Sequence, residues 1–273
     1  MNTYRLLDCG NQKKVEMFGQ FKLVRPCPQA LWQPTKPELW NKIDAEFERT
    51  GSETGEWKKS KKGFPERWEI SSKNGLKWKI EPNSFGNLGI FTEHWSYADD
   101  LANFFDKAGK ILNLFCYSGS NCISLVRSEF SVTAVDSSKG AMDSYAYNLD
   151  LNNLPREGQR LILEDAYKFI ARETRREAKY SGIIMDAPSY GRGTKGEVFK
   201  IEDDLVKLLS ACKELLTEKG KLVITLHSPR FTPVSLRVLC QQVFPGKKVQ
   251  ADEIVQMCES GVELPSGFLV KIG

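Results

Sequence analysis

The apolar positions along the chain follow one pattern before about residue 95 and another after it. In the first part, short stretches that begin near Tyr4, Lys13 and Phe21 place apolar residues at alternate positions, and Gly, Pro or Asn separates them. Such alternation indicates strands. One stretch, residues 38–49, has apolar residues at helical spacing, with Thr35 and Pro37 in the positions of a cap and a first turn. Residues 1–95 are therefore predicted to form a small, β-rich α+β domain.

Residues 96–273 show a regular alternation of predicted strands and helices. Five strand-helix pairs follow one another, and two adjacent strands end the chain. Alternation of this kind predicts a parallel sheet with helices on both faces, wound by right-handed crossovers. The last two strands have no helix between them and predict an antiparallel hairpin. The expected fold class is α/β: a doubly wound, mostly parallel seven-stranded sheet, preceded by the small α+β domain.

Polar residues follow the first two predicted strands of this sheet, at the edge where open α/β sheets bind ligands. Ser118, Gly119 and Ser120 make a small-residue turn after the first strand. The turn lacks the G-x-G-x-x-G spacing of dinucleotide-binding proteins, which weighs against NAD and FAD. Asp136 follows the second strand, where a carboxylate can accept hydrogen bonds from both ribose hydroxyls of an adenosine. The same residue could instead cap the next helix.

The third and fourth strands end in acidic residues as well. Asp165 can accept a hydrogen bond from the amine of adenine, or it can cap a helix. Asp186 opens the sequence Asp-Ala-Pro-Ser-Tyr, in which Pro188 stiffens the turn and Tyr190 offers a ring for stacking on a planar base. Four such loops at one edge of a sheet predict a site for an adenosine-containing ligand.

Composition narrows the class of protein further. The chain has 273 residues, of which 41% are hydrophobic and 27% charged, and this balance excludes disorder along its whole length. It has no apolar run near the roughly 20 residues that span a bilayer and no apolar signal core at its beginning, so we expect a cytoplasmic protein. The seven cysteines include no C-x-x-C pair. We expect buried, reduced thiols and no metal site.

Positive charge is concentrated in residues 57–79. Eight basic and two acidic residues give this stretch a charge of +6, while the whole chain carries +4. Basic residues interleaved with tryptophan suit phosphate contact and base stacking. We predict RNA contact through four lysines of the stretch: Lys58, Lys59, Lys61 and Lys62. The alternative is a solvated hairpin with its tryptophans in the core.

These motifs together resemble a known family. The residues that carry the likeness are LNLFCYSGSNCISL, AVDSSKGAMDSYAYNLDLNNL, LEDAYKFI, MDAPSYGRGTKGEVFKIEDDL, ELPSGFLVKI and, before them, GIFTEHWSYADDL. In this order they resemble the RlmI/RlmK-type ribosomal RNA methyltransferases of the large subunit. We expect this chain to lack the PUA-like module of that group. The resemblance implies S-adenosylmethionine (SAM) as cofactor, bound by Phe91, Glu93, Asn113, Phe115, Tyr117, Ser118, Gly119, Asp136, Ser137, Asp165, Ala166 and Asp186. It also implies that Asp186, Pro188 and Tyr190 face the reacting methyl group.

The choice of methyl acceptor depends on the cysteines. Methylation of cytosine C5 needs a thiolate nucleophile. Neither the fourth-strand loop nor the segment after the fifth strand contains a cysteine, and Cys116 and Cys122 are expected to be packing residues. A nitrogen of an RNA base is therefore favoured, with ribosomal RNA as the expected substrate. His227 could act as a base or as a structural hydrogen-bonding residue. A cytosine-C5 enzyme, a small-molecule or protein methyltransferase and a catalytically silent RNA-binding relative remain alternatives, and the oligomeric state stays open.

Overall fold

A computed structural model describes residues 2–51, 54–60, 63–107, 109–192 and 198–273. The chain forms two compact units, Met1–Glu93 with Val255–Pro265, and His94–Ile254 with Ser266–Gly273. Residues 255–265, which the sequence pattern assigned to the second domain, thus belong to the first unit. The reason is local. The backbone N–H groups of Glu259 and Ser260 donate to the carbonyl oxygens of Leu6 and Leu7, at 2.8 and 2.9 Å.

The first unit is built mainly from strands. They are β1 (Tyr4–Gly10), β2 (Lys13–Phe18), β3 (Phe21–Pro26), β4 (Ala45–Arg49), β5 (Gly55–Lys59), β6 (Trp68–Ser71) and β7 (Lys77–Ile80). The first five form one sheet in chain order, and β6 pairs with β7 as a hairpin. Within the five-stranded sheet β3 and β4 are parallel, and the other neighbours are antiparallel.

The helix predicted over residues 38–49 is wrong. A single 3-10 turn, Pro37–Trp40, occupies its beginning, residues 41–44 form a loop, and Ala45–Arg49 is strand β4. Thr35 is not the cap, because the residue before the turn is Lys36. Burial explains the difference. Ala45 and Phe47 are buried on one face of β4, a period of two that belongs to a strand.

The second unit is an α/β sandwich, which confirms the predicted fold class. Its helices are α1 (Leu101–Phe104), α2 (Ile123–Arg127), α3 (Lys139–Leu151), α4 (Ala166–Arg175), α5 (Ile201–Leu215) and α6 (Pro233–Val243). Its strands are β8 (Lys110–Leu114), β9 (Ser131–Asp136), β10 (Arg160–Leu163), β11 (Tyr180–Asp186), β12 (Tyr190–Arg192), β13 (Val198–Lys200), β14 (Leu216–Leu226), β15 (Val249–Met257, whose last residues belong to the first unit) and β16 (Glu263–Ile272, whose first residues do).

Seven of these strands form one sheet in the order β10-β9-β8-β11-β14-β16-β15. The five strands from β10 to β14 pair in parallel, and β16 runs antiparallel to β14. Chain order runs outward on both sides from β8, so the sheet has a topological switch point between β8 and β11. Ligands of open α/β sheets bind at the carboxyl ends of the strands beside such a point.

Helices bury apolar faces against this sheet. Helix α5 turns one face inward at helical spacing, through Ile201, Leu205, Leu208, Leu209, Cys212 and Leu215. Burying each such leucine contributes about 1.5–3 kcal/mol, which makes the sheet a rigid support for the loops at its carboxyl edge. No helix within the described ranges is both long enough and apolar enough to cross a membrane.

Candidate functional site

The loop after β8 has an unusual backbone. Phe115 and Tyr117 adopt φ angles of +53° and +45°, and Gly119 has φ +85°. The left-handed region costs a residue other than glycine of order 1–3 kcal/mol and persists only where surrounding contacts enforce it. Here the enforcing contact is a carboxylate, because the Tyr117 N–H donates to Oδ2 of Asp136 at 2.9 Å.

Asp136, at the end of β9, braces this loop rather than capping a helix. Its Oδ1 accepts from the Ser138 N–H at 2.9 Å. The cap of α3 is Ser138, whose hydroxyl accepts from the Ala141 N–H at 3.2 Å. A carboxylate offers about four acceptor positions, so two remain for a ligand. The neighbouring Ser137 is exposed.

Asp165, after β10, does cap its helix. Its Oδ1 accepts from the Lys168 N–H at 3.0 Å at the beginning of α4. The capping interpretation is therefore correct for this residue, and its second oxygen is the one available to a ligand. Ala166 is buried beside it. The Glu164 N–H donates to the Asp136 carbonyl oxygen at 3.0 Å, which ties the second and third loops together.

Two buried polar residues of the first loop differ in what they contact. The Asn113 side-chain amide donates to Oδ1 of Asn121 at 2.9 Å and to Sγ of Cys122 at 2.8 Å, so it holds the loop together. Ser118 is fully buried, and within the described part of the chain its hydroxyl has no hydrogen-bond partner. Its carbonyl oxygen accepts from the Asn148 side chain at 3.0 Å. An unpaired buried hydroxyl costs about 1–3 kcal/mol, which a ligand could recover.

Aromatic rings that the sequence analysis missed gather beside this loop. Phe199 stacks on Phe115 with ring centroids 6.4 Å apart, and Tyr167 approaches Phe199 at 5.9 Å. The Tyr167 hydroxyl is buried and has no hydrogen-bond partner among the described residues. Tyr167 directly follows Asp165 and Ala166, and this position could have identified it as a candidate site residue.

Asp186, at the end of β11, lies at the centre of a polar cluster. Its Oδ1 accepts from the Thr225 hydroxyl at 2.5 Å and lies 3.2 Å from Nε2 of His227. Its Oδ2 lies 3.3 Å from Nε2 of His94, a residue that sequence reasoning did not single out. Burial alone would raise the pKa of Asp186. The nearby imidazoles of His94 and His227 outweigh it and hold the pKa well below its usual range.

Pro188 and Tyr190, the two other predicted site residues of the Asp186 loop, are exposed. Pro188 lies on the surface, and Tyr190 begins β12 with 41% of its surface accessible. An exposed ring at the end of a loop suits stacking on a planar group that arrives from solvent.

Phe91 and Glu93 belong to the first unit, where they line a cavity of about 180 Å³. Lys14, Arg25 and Arg49 bring positive charge to the same cavity. Several apolar and small residues complete the lining, among them Pro26, Phe47, Phe85, Gly86, Asn87 and Ile90.

The basic stretch is only partly described, because Lys61 and Lys62 lie outside the described residues. Lys58 is exposed on β5 and pairs with Glu56 at 3.3 Å. Lys59 is also exposed, and its ammonium lies 5.8 Å from the ring centre of Phe64. The Trp57 indole donates to the Asn83 carbonyl oxygen at 2.9 Å and packs against Phe47, so this ring is part of the fold.

All seven cysteines are buried free thiols. Burial raises the pKa of Cys122 to about 12, and the pKa of Cys116 is also raised well above its usual value by burial. A thiol with a raised pKa is a poor nucleophile, because the thiolate is the attacking species.

Comparison with known proteins gives this geometry a context. The chain is similar to the structure of a SAM-dependent methyltransferase from Agrobacterium tumefaciens, with 32% identity, a TM-score of 0.90, and coverage of 98% of this chain and 90% of that one. A SAM-dependent methyltransferase from Streptococcus mutans shares the fold at 19% identity, with a TM-score of 0.76 and coverage of 99% and 75%.

Among curated proteins, the ribosomal RNA large subunit methyltransferase K/L of Pseudoalteromonas translucida is 27% identical over 162 residues. The match covers 58% of this chain and 22% of that protein. The chain spans less than half of the length of the curated relatives it matches. No family model matches it.

Proposed function

The chain belongs to the SAM-dependent methyltransferases, and from that premise we propose that it methylates a nitrogen of an RNA base, with ribosomal RNA as the substrate, in the cytoplasm. The proposal rests on the set of loops at the carboxyl edge of the sheet. Asp136 holds the strained first loop through the Tyr117 N–H, and Tyr190 is exposed in the loop after the fourth strand. The names of the curated relatives support RNA as the substrate class.

The residues of this edge fit the cofactor. Asp136 keeps two acceptor positions for the ribose hydroxyls, and the unpaired hydroxyl of Ser118 offers a partner to a bound group. We assign the second oxygen of Asp165 to the amine of adenine. We assign Phe115, Tyr117 and Gly119 to the methionine end, and Ser137 and Ala166 to the adenosine end. Asn113 supports the loop from below through its contacts with Asn121 and Cys122.

For methyl transfer, the protein has mainly to position the acceptor relative to the methyl group. SAM supplies a methyl group on a positively charged sulfur, which leaves readily. Holding an acceptor in line can account for roughly 7–11 kcal/mol of the barrier. We assign this task to Asp186, Pro188 and Tyr190. Because imidazoles keep Asp186 ionised, it would accept hydrogen bonds from the amine of a base, while Tyr190 would stack on the ring.

A nitrogen acceptor is favoured over cytosine C5 because all seven cysteines are buried thiols, and C5 methylation needs an accessible thiolate as nucleophile. Cys116 and Cys122 are the two thiols closest in sequence to the cofactor loop, and burial raises the pKa of both. A nitrogen lone pair attacks without a covalent intermediate and needs neither thiol.

Two basic surfaces of the first unit support RNA binding. One is the exposed end of β5, with Lys58 and Lys59. From the sequence alone we also assign Lys61 and Lys62, outside the described residues, to RNA contact. The other is the cavity lined by Arg49 and Phe85, and Phe85 is 54% exposed. Phe91 and Glu93 also line it, and we keep both as proposed cofactor residues. The cavity, at about 180 Å³, is smaller than the roughly 300–1,000 Å³ of pockets for drug-sized ligands, so it can enclose only part of a nucleotide.

The test is methyl transfer from tritiated SAM to total RNA, followed by separation of the nucleosides. Label in ribosomal RNA, on a nucleoside methylated at a base nitrogen, is the expected result. Label only in protein or in small molecules would contradict the substrate, and labelled 5-methylcytidine would contradict the chemistry.

A variant series tests the RNA surface. Replacing Lys58, Lys59, Lys61 and Lys62 with Gln should weaken RNA binding and lower its salt slope by about 0.7–0.9 for each phosphate that is no longer neutralised. S-adenosylhomocysteine (SAH) affinity should not change. Phe85→Ala should instead weaken binding, by about 1–3 kcal/mol if a base stacks there, without altering the slope. RNA binding equal to that of the parent in both variants would overturn this placement of the RNA.

A further inference from the structure

The chain contains two histidines, and both meet the same carboxylate. Nε2 of His94 lies 3.3 Å from Oδ2 of Asp186, and Nε2 of His227 lies 3.2 Å from Oδ1. The three residues come from a 3-10 turn, from the end of β11 and from the position after β14. One donor atom from each lies within 4.8 Å of the others. We propose that His94, Asp186 and His227 form a binding site for one divalent transition-metal ion.

The distances are long for direct ion pairs and close to those between two ligands of one ion. Charge-assisted hydrogen bonds between an imidazole and a carboxylate are about 2.7–2.9 Å long, and both contacts here exceed that range. Tetrahedral ligands held at about 2.0–2.2 Å from a zinc ion are roughly 3.3–3.6 Å apart. The two nitrogen-oxygen separations, 3.3 and 3.2 Å, are close to the short end of this spacing, but they reach different oxygens of Asp186. One carboxylate oxygen would have to turn toward both imidazoles for an ion to bind.

The surrounding contacts orient the three ligands as metal sites require. Nδ1 of His94 lies 2.9 Å from the buried Ser120 hydroxyl, a partner that can take the Nδ1 proton and leave the lone pair on Nε2. The Thr225 hydroxyl donates to Asp186 at 2.5 Å. Partners that hold the outer atoms of histidine and carboxylate ligands are typical of metal sites and fix their direction. Gly267 leaves room for the His227 ring, because a Cβ there would lie 2.8 Å from Nδ1.

The donor set selects the class of ion. Two imidazoles and one carboxylate suit zinc, iron or other first-row transition metals, whereas magnesium and calcium prefer oxygen ligands. Three protein ligands leave at least one position open, as in catalytic zinc sites. The opening is on the side of His227, since 33% of its side chain is exposed while His94 shows 2%.

An ion at this place would act as a Lewis acid. It would hold an oxygen of the acceptor at the end of β11, beside the loop that we assign to methyl transfer, and would leave the lone pair of the attacking nitrogen free. This role rests on the proposed function, whereas the site itself rests on the geometry alone.

The experiment measures binding of zinc alone. The full chain is stripped with a chelator, equilibrated with buffered Zn²⁺ and analysed for bound metal, and the two imidazoles are followed by ¹H–¹⁵N NMR. We expect about one zinc per chain and shifts of both histidine spectra. Cobalt in place of zinc should give visible absorption bands.

Variants make the result specific. His227→Gln, at the open side, and His94→Gln should each weaken zinc binding by roughly tenfold or more, while SAH binding reports that the fold is intact. A double Cys9→Ser, Cys258→Ser variant is the control, since these thiols lie 3.5 Å apart and offer the other pair of soft donors; its zinc binding should be unchanged.

Zinc binding that survives in both histidine variants, or that disappears in the cysteine control, would overturn the proposal. Binding far below one ion per chain with unmoved histidine resonances would do so as well. Zinc bound at the histidines of a protein that methylates no RNA would leave the site standing and contradict only the proposed substrate.

Discussion

Replacing Gly119 with alanine tests whether the first loop is the cofactor cradle. Gly119 has φ +85°, and a Cβ there would lie 2.7 Å from Tyr145 and 2.8 Å from Ile123. Both neighbours are buried, and the Tyr145 hydroxyl is held 3.1 Å from Sγ of Cys122, so neither can easily move. The left-handed backbone costs about 1–2 kcal/mol and overpacking about 1–3 kcal/mol. We therefore expect a loss of roughly 2–5 kcal/mol in the free energy of unfolding, measured with urea.

The same variant should weaken SAH binding by about tenfold or more in calorimetry, a loss of about 1.4 kcal/mol, because relief of the clash must displace the loop. Gly246→Ala is the matched control in the same unit. Gly246 has φ +82°, and a Cβ there would meet nothing within 4 Å, so only the backbone penalty of about 1–2 kcal/mol applies. Equal losses of stability in the two variants would refute the steric argument. Unchanged SAH affinity in Gly119→Ala would refute the assignment of the loop.

Three other predictions concern single residues or pairs. Asp136→Ala should weaken SAH affinity about tenfold or more, and calorimetry should detect no NAD binding to the parent protein; unchanged SAH affinity would contradict the ribose assignment. Replacing Cys116 and Cys122 with Ala together should leave measurable methyl transfer with some loss of stability, whereas a covalent adduct with 5-fluorocytosine RNA would reveal a nucleophilic thiol. Burial would raise the pKa of Glu16, but the charges of Arg25 and Lys14 outweigh it and lower the pKa from 4.5 to about 2. A lowered pKa stabilises the fold above pH 4.5, and roughly 3 kcal/mol should be lost as the pH falls to 2. Urea unfolding should show that loss in the parent and a smaller one in Glu16→Gln; equal losses would contradict the ion pair.

Asp136 at the end of β9 and Asp165 after β10 show what position along the chain can and cannot predict about a residue's role. Position alone allows each of them to be a ligand of an adenosine or a helix cap. The structure separates them, since Ser138 takes the cap in one case and Asp165 itself takes it in the other. The choice depends on where a neighbouring hydroxyl lies relative to the first free N–H groups of a helix, a matter of one or two residues that periodicity does not resolve.

Sequence alone determined the succession of the seven sheet strands and of helices α2 to α6 in the second unit, because a sheet buried on both faces needs long apolar runs and its helices need a 3.6-residue repeat. It also determined which loops reach the carboxyl edge. It did not determine the short helix α1 or the hairpin of β12 and β13. Nor did it determine the strand β4, where helical spacing and strand alternation overlap within a few residues. Tertiary structure alone brought His94 and His227 to Asp186, since residues so distant in sequence meet only through the order of the strands. It also turned Asn113 inward, where the buried amide finds its hydrogen bonds within the loop and thereby meets the requirement of every buried polar group.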